Sequence, residues 1–141
     1  MAFYGSTEWL NLFKDNINND SNFKKASSKF TASMLIVTEI EGVPPIYVWM
    51  DLHEGTMRDW AYVADHAERK VDYTFTADYY VWKGICKGEM DVIKAVVTGK
   101  TKLKGNKLKL LKQTKASLAL LEVMKKLDTE FPDDVFQGQS N

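Results

Sequence analysis

Between Thr31 and Thr76 the chain reverses again and again without losing its strand character, and this block restricts the fold more than any other part of the sequence. Thr31 to Glu41 is rich in β-branched and apolar residues, Glu41-Gly42-Val43-Pro44-Pro45 supplies turn chemistry, and Ile46 to Leu52 resumes the pattern. Such a pair reads as a hairpin. His53-Glu54-Gly55-Thr56 turns the chain into a third strand, Met57 to Ala64, and the polar turn Asp65 to Lys70 leads into a fourth, Val71 to Thr76. Four strands in succession predict a largely antiparallel sheet.

Helical spacing flanks this block. Trp9, Leu12, Phe13 and Ile17 recur on one side after Gly5-Ser6-Thr7, where Ser6 or Thr7 can cap a first turn. Asn18 to Asn22 interrupts the pattern, and Phe23, Ala26 and Phe30 suggest a short second helix. Past Ala77, a helix begun by Asp78 and ended by Gly88 puts Tyr79, Trp82, Ile85 and Cys86 on one side. Asp91 can cap the next, with Ile93, Val96 and Val97 as its apolar side up to Gly99. Lys100-Thr101-Lys102-Leu103-Lys104 alternates as a fifth strand with its lysines in water.

From Lys107 to Leu127 the chain reads as helical, with Gln113-Thr114 the place where it can break. Ala116, Leu118, Ala119, Leu120, Leu121, Val123, Met124 and Leu127 occupy more than one side, so this helix must be covered twice. The segment from Asp128 to Asn141 contains Pro132 and many polar residues, and its end is expected to be loose. No repeat or internal boundary is visible. The expectation is one domain over residues 1–141, with a core from about 9 to 127 and a tail from 128 to 141.

Composition removes several classes of function. Nineteen basic and nineteen acidic residues cancel, so no net field draws the molecule to nucleic acid. One cysteine and two histidines at no ligand spacing do not build a metal site. Gly84, Gly88, Gly99 and Gly105 lie too far apart to cradle a phosphate, so no cofactor is expected. A cysteine enzyme would need Cys86 as nucleophile, His53 or His66 as base and Asp65 to orient it, but Cys86 falls on an inward helical side while both histidines fall in turns. The ordinary reading is a buried thiol and two surface histidines, without catalysis. Met1 to Leu10 lacks a basic segment followed by an apolar stretch, and no run approaches the ~20 apolar residues that span a bilayer. A cytoplasmic location is expected.

The stretch from Asp78 to Asn106, DYYVWKGICKGEMDVIKAVVTGKTKLKGN, resembles the sterol carrier protein domain, a family of non-specific lipid-transfer proteins. There a tryptophan-bearing helix leads through a Gly-acidic turn to another helix, a Gly-Lys pair, an alternating basic strand and a final Gly followed by Asn or Asp. Trp82, Gly88-Glu89, Asp91 to Thr98, Gly99-Lys100, Lys102-Leu103-Lys104 and Gly105-Asn106 stand in that order here. The likeness extends from about Trp9 to about Leu127. Val92 stands where the family often has proline, and Gln139-Ser140-Asn141 is not the peroxisomal Ser-Lys-Leu address of some members. The resemblance implies an α/β fold of the α+β type: a five-stranded, mainly antiparallel sheet covered on one face by about five helices, with an apolar tunnel between the layers. It also implies a carrier that binds and transfers an apolar lipid, such as a sterol, fatty acid or acyl thioester, without altering it.

Strand alternation and helical spacing then nominate the wall. From the sheet come Met34, Ile36, Val48, Met50, Tyr73, Phe75 and Leu103; from the helices come Trp82, Ile85, Ile93, Val97, Leu111, Leu118, Leu121 and Met124. The same residues would equally make a dry, filled core. Each CH₂ buried in such a space contributes roughly 0.8 kcal/mol, so a ten-carbon segment gains about 8 kcal/mol before association costs.

Two surface features invite partners. Between Val92 and Leu121 stand eight lysines, Lys94, Lys100, Lys102, Lys104, Lys107, Lys109, Lys112 and Lys115, and no acid. They suit transient docking to an anionic membrane; the alternative is a solvated strand and helix face. Leu35, Val37, Tyr47, Trp49, Ala61 and Val63 alternate onto the opposite strand faces and are too apolar for water, so a homodimer or a packed tail is expected to cover them. A rival to the carrier is a dimerising or substrate-presenting module for a partner enzyme, with no lipid transfer.

Overall fold

The computed structural model describes residues 2–133. A two-residue strand β1 (Ala2–Phe3) leads into α1 (Thr7–Asn19) and α2 (Ser21–Ala26). Ser6 accepts the Trp9 amide at 3.1 Å and Asp20 accepts the Phe23 amide at 2.7 Å, so the polar breaks of the sequence do start these helices. The strand block follows as β2 (Thr31–Ile40), β3 (Val43–His53), β4 (Thr56–Tyr62) and β5 (Tyr73–Asp78). Asp78 caps α3 (Tyr79–Cys86) and Asp91 caps α4 (Val92–Val97). Then come β6 (Thr101–Lys104), α5 (Lys107–Leu111), α6 (Thr114–Lys126) and a final short strand β7 (Thr129–Glu130). The long C-terminal helix of the sequence does break, at Lys112-Gln113, and this is why six helices stand among the described residues where about five were expected.

Five strands form one sheet in the order β4-β3-β2-β5-β6. The pairs β2–β3, β3–β4 and β5–β6 are antiparallel, whereas β2 and β5 run parallel with Met34 opposite Tyr73. The sheet is mixed and mainly antiparallel. The parallel pair exists because residues 63–72 carry the chain from the far side of β3 to the free side of β2, so the segment read as a polar turn is a crossover. The β3–β4 hairpin, by contrast, closes through Glu54 and Gly55 with φ of 47° and 84°, the left-handed pair that a tight two-residue turn demands. A Cβ on Gly55 would stand 2.9 Å from the Lys24 carbonyl oxygen, so glycine also lets α2 approach this turn.

All six helices contribute buried or half-buried residues to one core on a single face of the sheet, including Leu10, Phe23, Ile85, Ala95, Leu110 and Val123. On the other face Leu35, Val37 and Val63 form a small separate cluster with Tyr47, Trp49 and Val71 packed against it. What covers that face is the crossover itself: Val63 and Val71 come from its ends, the Arg69 guanidinium sits 4.2 Å from the Trp49 ring centre, and His66 meets Tyr47 edge-on. Of the apolar patch for which the sequence suggested a homodimer or a packed tail, the crossover buries Leu35, Val37 and Val63, while Tyr47, Trp49 and Ala61 stay half-buried. Lys102 and Lys104 project into water from β6, an edge strand, where lysines discourage further strand pairing.

The packed chain runs beyond Leu127, the limit drawn from the sequence. Thr129 and Glu130 pair in parallel with Ala2 and Phe3, the Trp9 indole N–H donates to Thr129 Oγ1 at 2.9 Å, and Phe131 is buried. The loose end expected after these residues, including Gln139-Ser140-Asn141, lies outside the described residues.

Candidate functional site

Between the sheet and the helices lies a cavity of about 130 Å³ with an almost wholly apolar wall. Its floor is the inward alternation of three strands: Met34 and Ile36 from β2, Val48 and Met50 from β3, and Phe75 from β5. Strand register brings these together, since Met34 stands opposite Met50, and Ile36 stands between Val48 on one side and Phe75 on the other. Trp82 and Ile85 of α3 and Ile93 of α4 wall one part, and Met124 of α6 reaches in from above. The Trp82 indole N–H donates to the Val37 carbonyl at 2.9 Å, which keeps the ring in place and leaves its apolar faces to the interior.

The remaining nominated residues stand elsewhere. Tyr73 is buried in the main core against the rings of Phe30 and Phe75, and Leu103 is half-buried against that core, but neither reaches the cavity. Val97 and Leu118 are 60% and 48% exposed, and Leu111 and Leu121 are half-buried away from the cavity wall. The cause is helical phase. Across α5 and α6 the lining positions Leu110, Gln113, Ala116, Ser117, Leu120 and Met124 keep three- and four-residue spacing through the break at Lys112-Gln113, and Leu111, Leu118 and Leu121 fall beside that stripe. In α4 the inward pair is Val92 and Ile93, and Val97 falls past the turn that faces the sheet.

Sequence reasoning also left a whole wall unassigned. Trp9, Leu10, Phe13 and Ile17 of α1, with Phe23 and Phe30, line the same space. The apolar stripe of α1 was visible in the sequence; nothing there showed that it faced this hollow rather than solid core. Met57 adds a fourth methionine to Met34, Met50 and Met124.

Polar atoms reach the cavity in two places. The Tyr4 hydroxyl and Thr38 Oγ1 lie 2.8 Å apart and satisfy each other, while burial holds the phenol in its protonated form. Gln113 and Ser117 supply the other place, where Ser117 Oγ donates to Asp91 Oδ1 at 3.1 Å and so ties α6 to the start of α4.

The structure does not bring Cys86 and His66 together. Burial pushes the Cys86 thiol up to about 12, so it is no thiolate at neutral pH. Cys86 belongs to the core on the helical face, whereas His66 packs on Tyr47 beside the other cluster, with the sheet between them. Among the described residues no group of three or more His, Cys, Asp or Glu could hold a metal, and no helix is long and apolar enough to cross a membrane.

Residues 10–118 match the model of the SCP-2 sterol transfer family. No curated protein matches the sequence. Among solved structures, the fold is similar to a conserved hypothetical protein from Thermus thermophilus described as possibly a sterol carrier protein, at a TM-score of 0.77 and 20% identity over 89% of this chain and 90% of that one. It is also similar to a crystal structure of sterol carrier protein 2, at 0.75 and 22% over 86% and 97%. A UbiJ-SCP2 ubiquinone synthesis protein is more distant, at 0.51 and 16% over 79% and 86%.

Proposed function

The chain belongs to the SCP-2 sterol transfer family, and from that premise we propose that it binds an apolar lipid in the cavity beneath α6 and carries it without chemical change. The observation that carries this reading is the state of the floor. Met34 and Ile36 sit in mid-sheet under six helices yet remain only half-buried, because they face empty space. A domain of this size could have closed that space by packing, since interiors ordinarily reach the density of organic crystals.

The volume shapes the mechanism. Ligand pockets usually measure roughly 300–1,000 Å³, and about 150 Å³ suits a guest of benzene size. A lipid tail therefore enters by displacing side chains. Four of the chain's six methionines line the space, and an unbranched thioether changes shape at little cost. Binding of this kind competes with a bilayer on nearly equal terms, so the guest can be released as readily as it is taken up. The lysines from Lys94 to Lys115 would hold the carrier transiently at an anionic membrane in the cytoplasm, with Leu108, 76% exposed between Lys107 and Lys109, as the apolar contact.

A fluorescent fatty probe tests the reading. It should bind at about micromolar Kd and be displaced by unlabelled long-chain lipid. Absence of binding, together with a purified protein that native mass spectrometry shows free of apolar ligand, would sink the carrier. A second reading, a dimerising or substrate-presenting module for a partner enzyme, draws on the smallness of the cavity and would survive that result.

A further inference from the structure

We propose that the charged head of a long-chain guest, a carboxylate or phosphate, lies in a lysine groove beside the α5–α6 break; this rests on the lipid-binding reading and narrows it. The groove, about 580 Å³ and open, runs between the end of α2 and that break. Lys25, Lys29, Lys112 and Lys115 line it, Ser28 and Thr114 add hydroxyls, and no carboxylate does. None of the four lysines forms an ion pair with a described residue.

Gln113 and Ala116 line both this groove and the apolar cavity, so the two spaces share a wall. Four ammonium groups around one concavity repel one another, and an anion placed among them relieves that repulsion. The field has a further source. The thirteen-residue α6 begins at the shared wall, and Gln113 gives its first turn no side-chain cap, so the positive end of the helix faces the same region. A wholly apolar guest would use only the cavity. A chain with a charged head fills both spaces at once, its tail under α6 and its head among the lysines.

The test compares dodecyl phosphate with dodecanol, equal in chain and different in charge, as competitors for an uncharged fluorescent probe. Dodecyl phosphate should bind roughly ten-fold more tightly at low salt, with the advantage shrinking as salt is raised. In Lys25→Gln/Lys29→Gln/Lys112→Gln/Lys115→Gln the ratio of the two affinities should fall towards one; these side chains are exposed, and dodecanol binding reports that the variant is folded. Lys70→Gln, an exposed position on the crossover over the opposite sheet face, should keep the wild-type ratio. Equal affinities in the wild type, or a ratio that the fourfold change leaves intact, overturn the head-group site while the carrier stands. Inorganic phosphate that competes as well as dodecyl phosphate shows an anion site unconnected to the cavity, and also overturns it. If neither amphiphile displaces the probe, both readings fall.

Discussion

On one face of the sheet Leu35 and Val37 disappear beneath a ten-residue connection, at 2% and 1% exposure, while on the other Met34 and Ile36 stay half-buried under six helices. The thinner cover makes the better seal. The crossover needs only to fill a shallow strip, and Val63, Val71 and the Arg69–Trp49 stack do so. The helices come in three pairs separated in sequence by strands, and α6 packs mainly on α1, α2, α3 and α4. Alternate residues of a single strand thus belong to a closed region and an unfilled one.

Truncation of those neighbours should separate the two regions most strongly. Leu35→Ala removes a fully buried side chain and should cost about 3–5 kcal/mol in denaturant unfolding, whereas Met34→Ala, which enlarges an existing hollow, should cost roughly half as much. Equal losses would mean that both faces are packed alike. A smaller effect of opposite sign is expected from filling. Ala116→Leu places three more carbons in the cavity, and should weaken binding of an apolar probe by about ten-fold, or 1.4 kcal/mol, while raising stability by up to ~1 kcal/mol. Unchanged probe binding would place the guest elsewhere. The least change concerns the outer cover: Arg69→Ala deletes the stack on Trp49 and should cost about 0.5–1 kcal/mol, with the Trp49 indole newly open to a quencher.

The strands and most helix starts were legible because their signals are local. Period-two alternation set the inward side of β2, β3 and β5 correctly for Met34, Ile36, Val48, Met50 and Phe75, and Ser6, Asp20, Asp78 and Asp91 cap where polar residues precede apolar spacing. Tertiary facts were not legible in the same way. Val63 and Val71 carry no periodic mark to show that their segment crosses a sheet, and two-residue strands such as β1 and β7 are too short to have a period at all. Within the site, the C-terminal helices carry apolar residues on more than one side, so spacing alone nominated Leu111, Leu118 and Leu121 where the wall uses Leu110, Ala116 and Leu120. The groove was hidden for a related reason: Lys25 and Lys29 meet Lys112 and Lys115 only in space.

The parallel pairing of β1 with β7 imposes an order on assembly. Ala2 and Phe3 are made well before Thr129 and Glu130 and have no strand partner until those residues follow, and the Trp9 indole likewise waits for Thr129. The sheet and its crossover can form while the chain is still growing. The corner of the hollow beside Tyr4 and Trp9 is consequently the last part of the wall to close during synthesis.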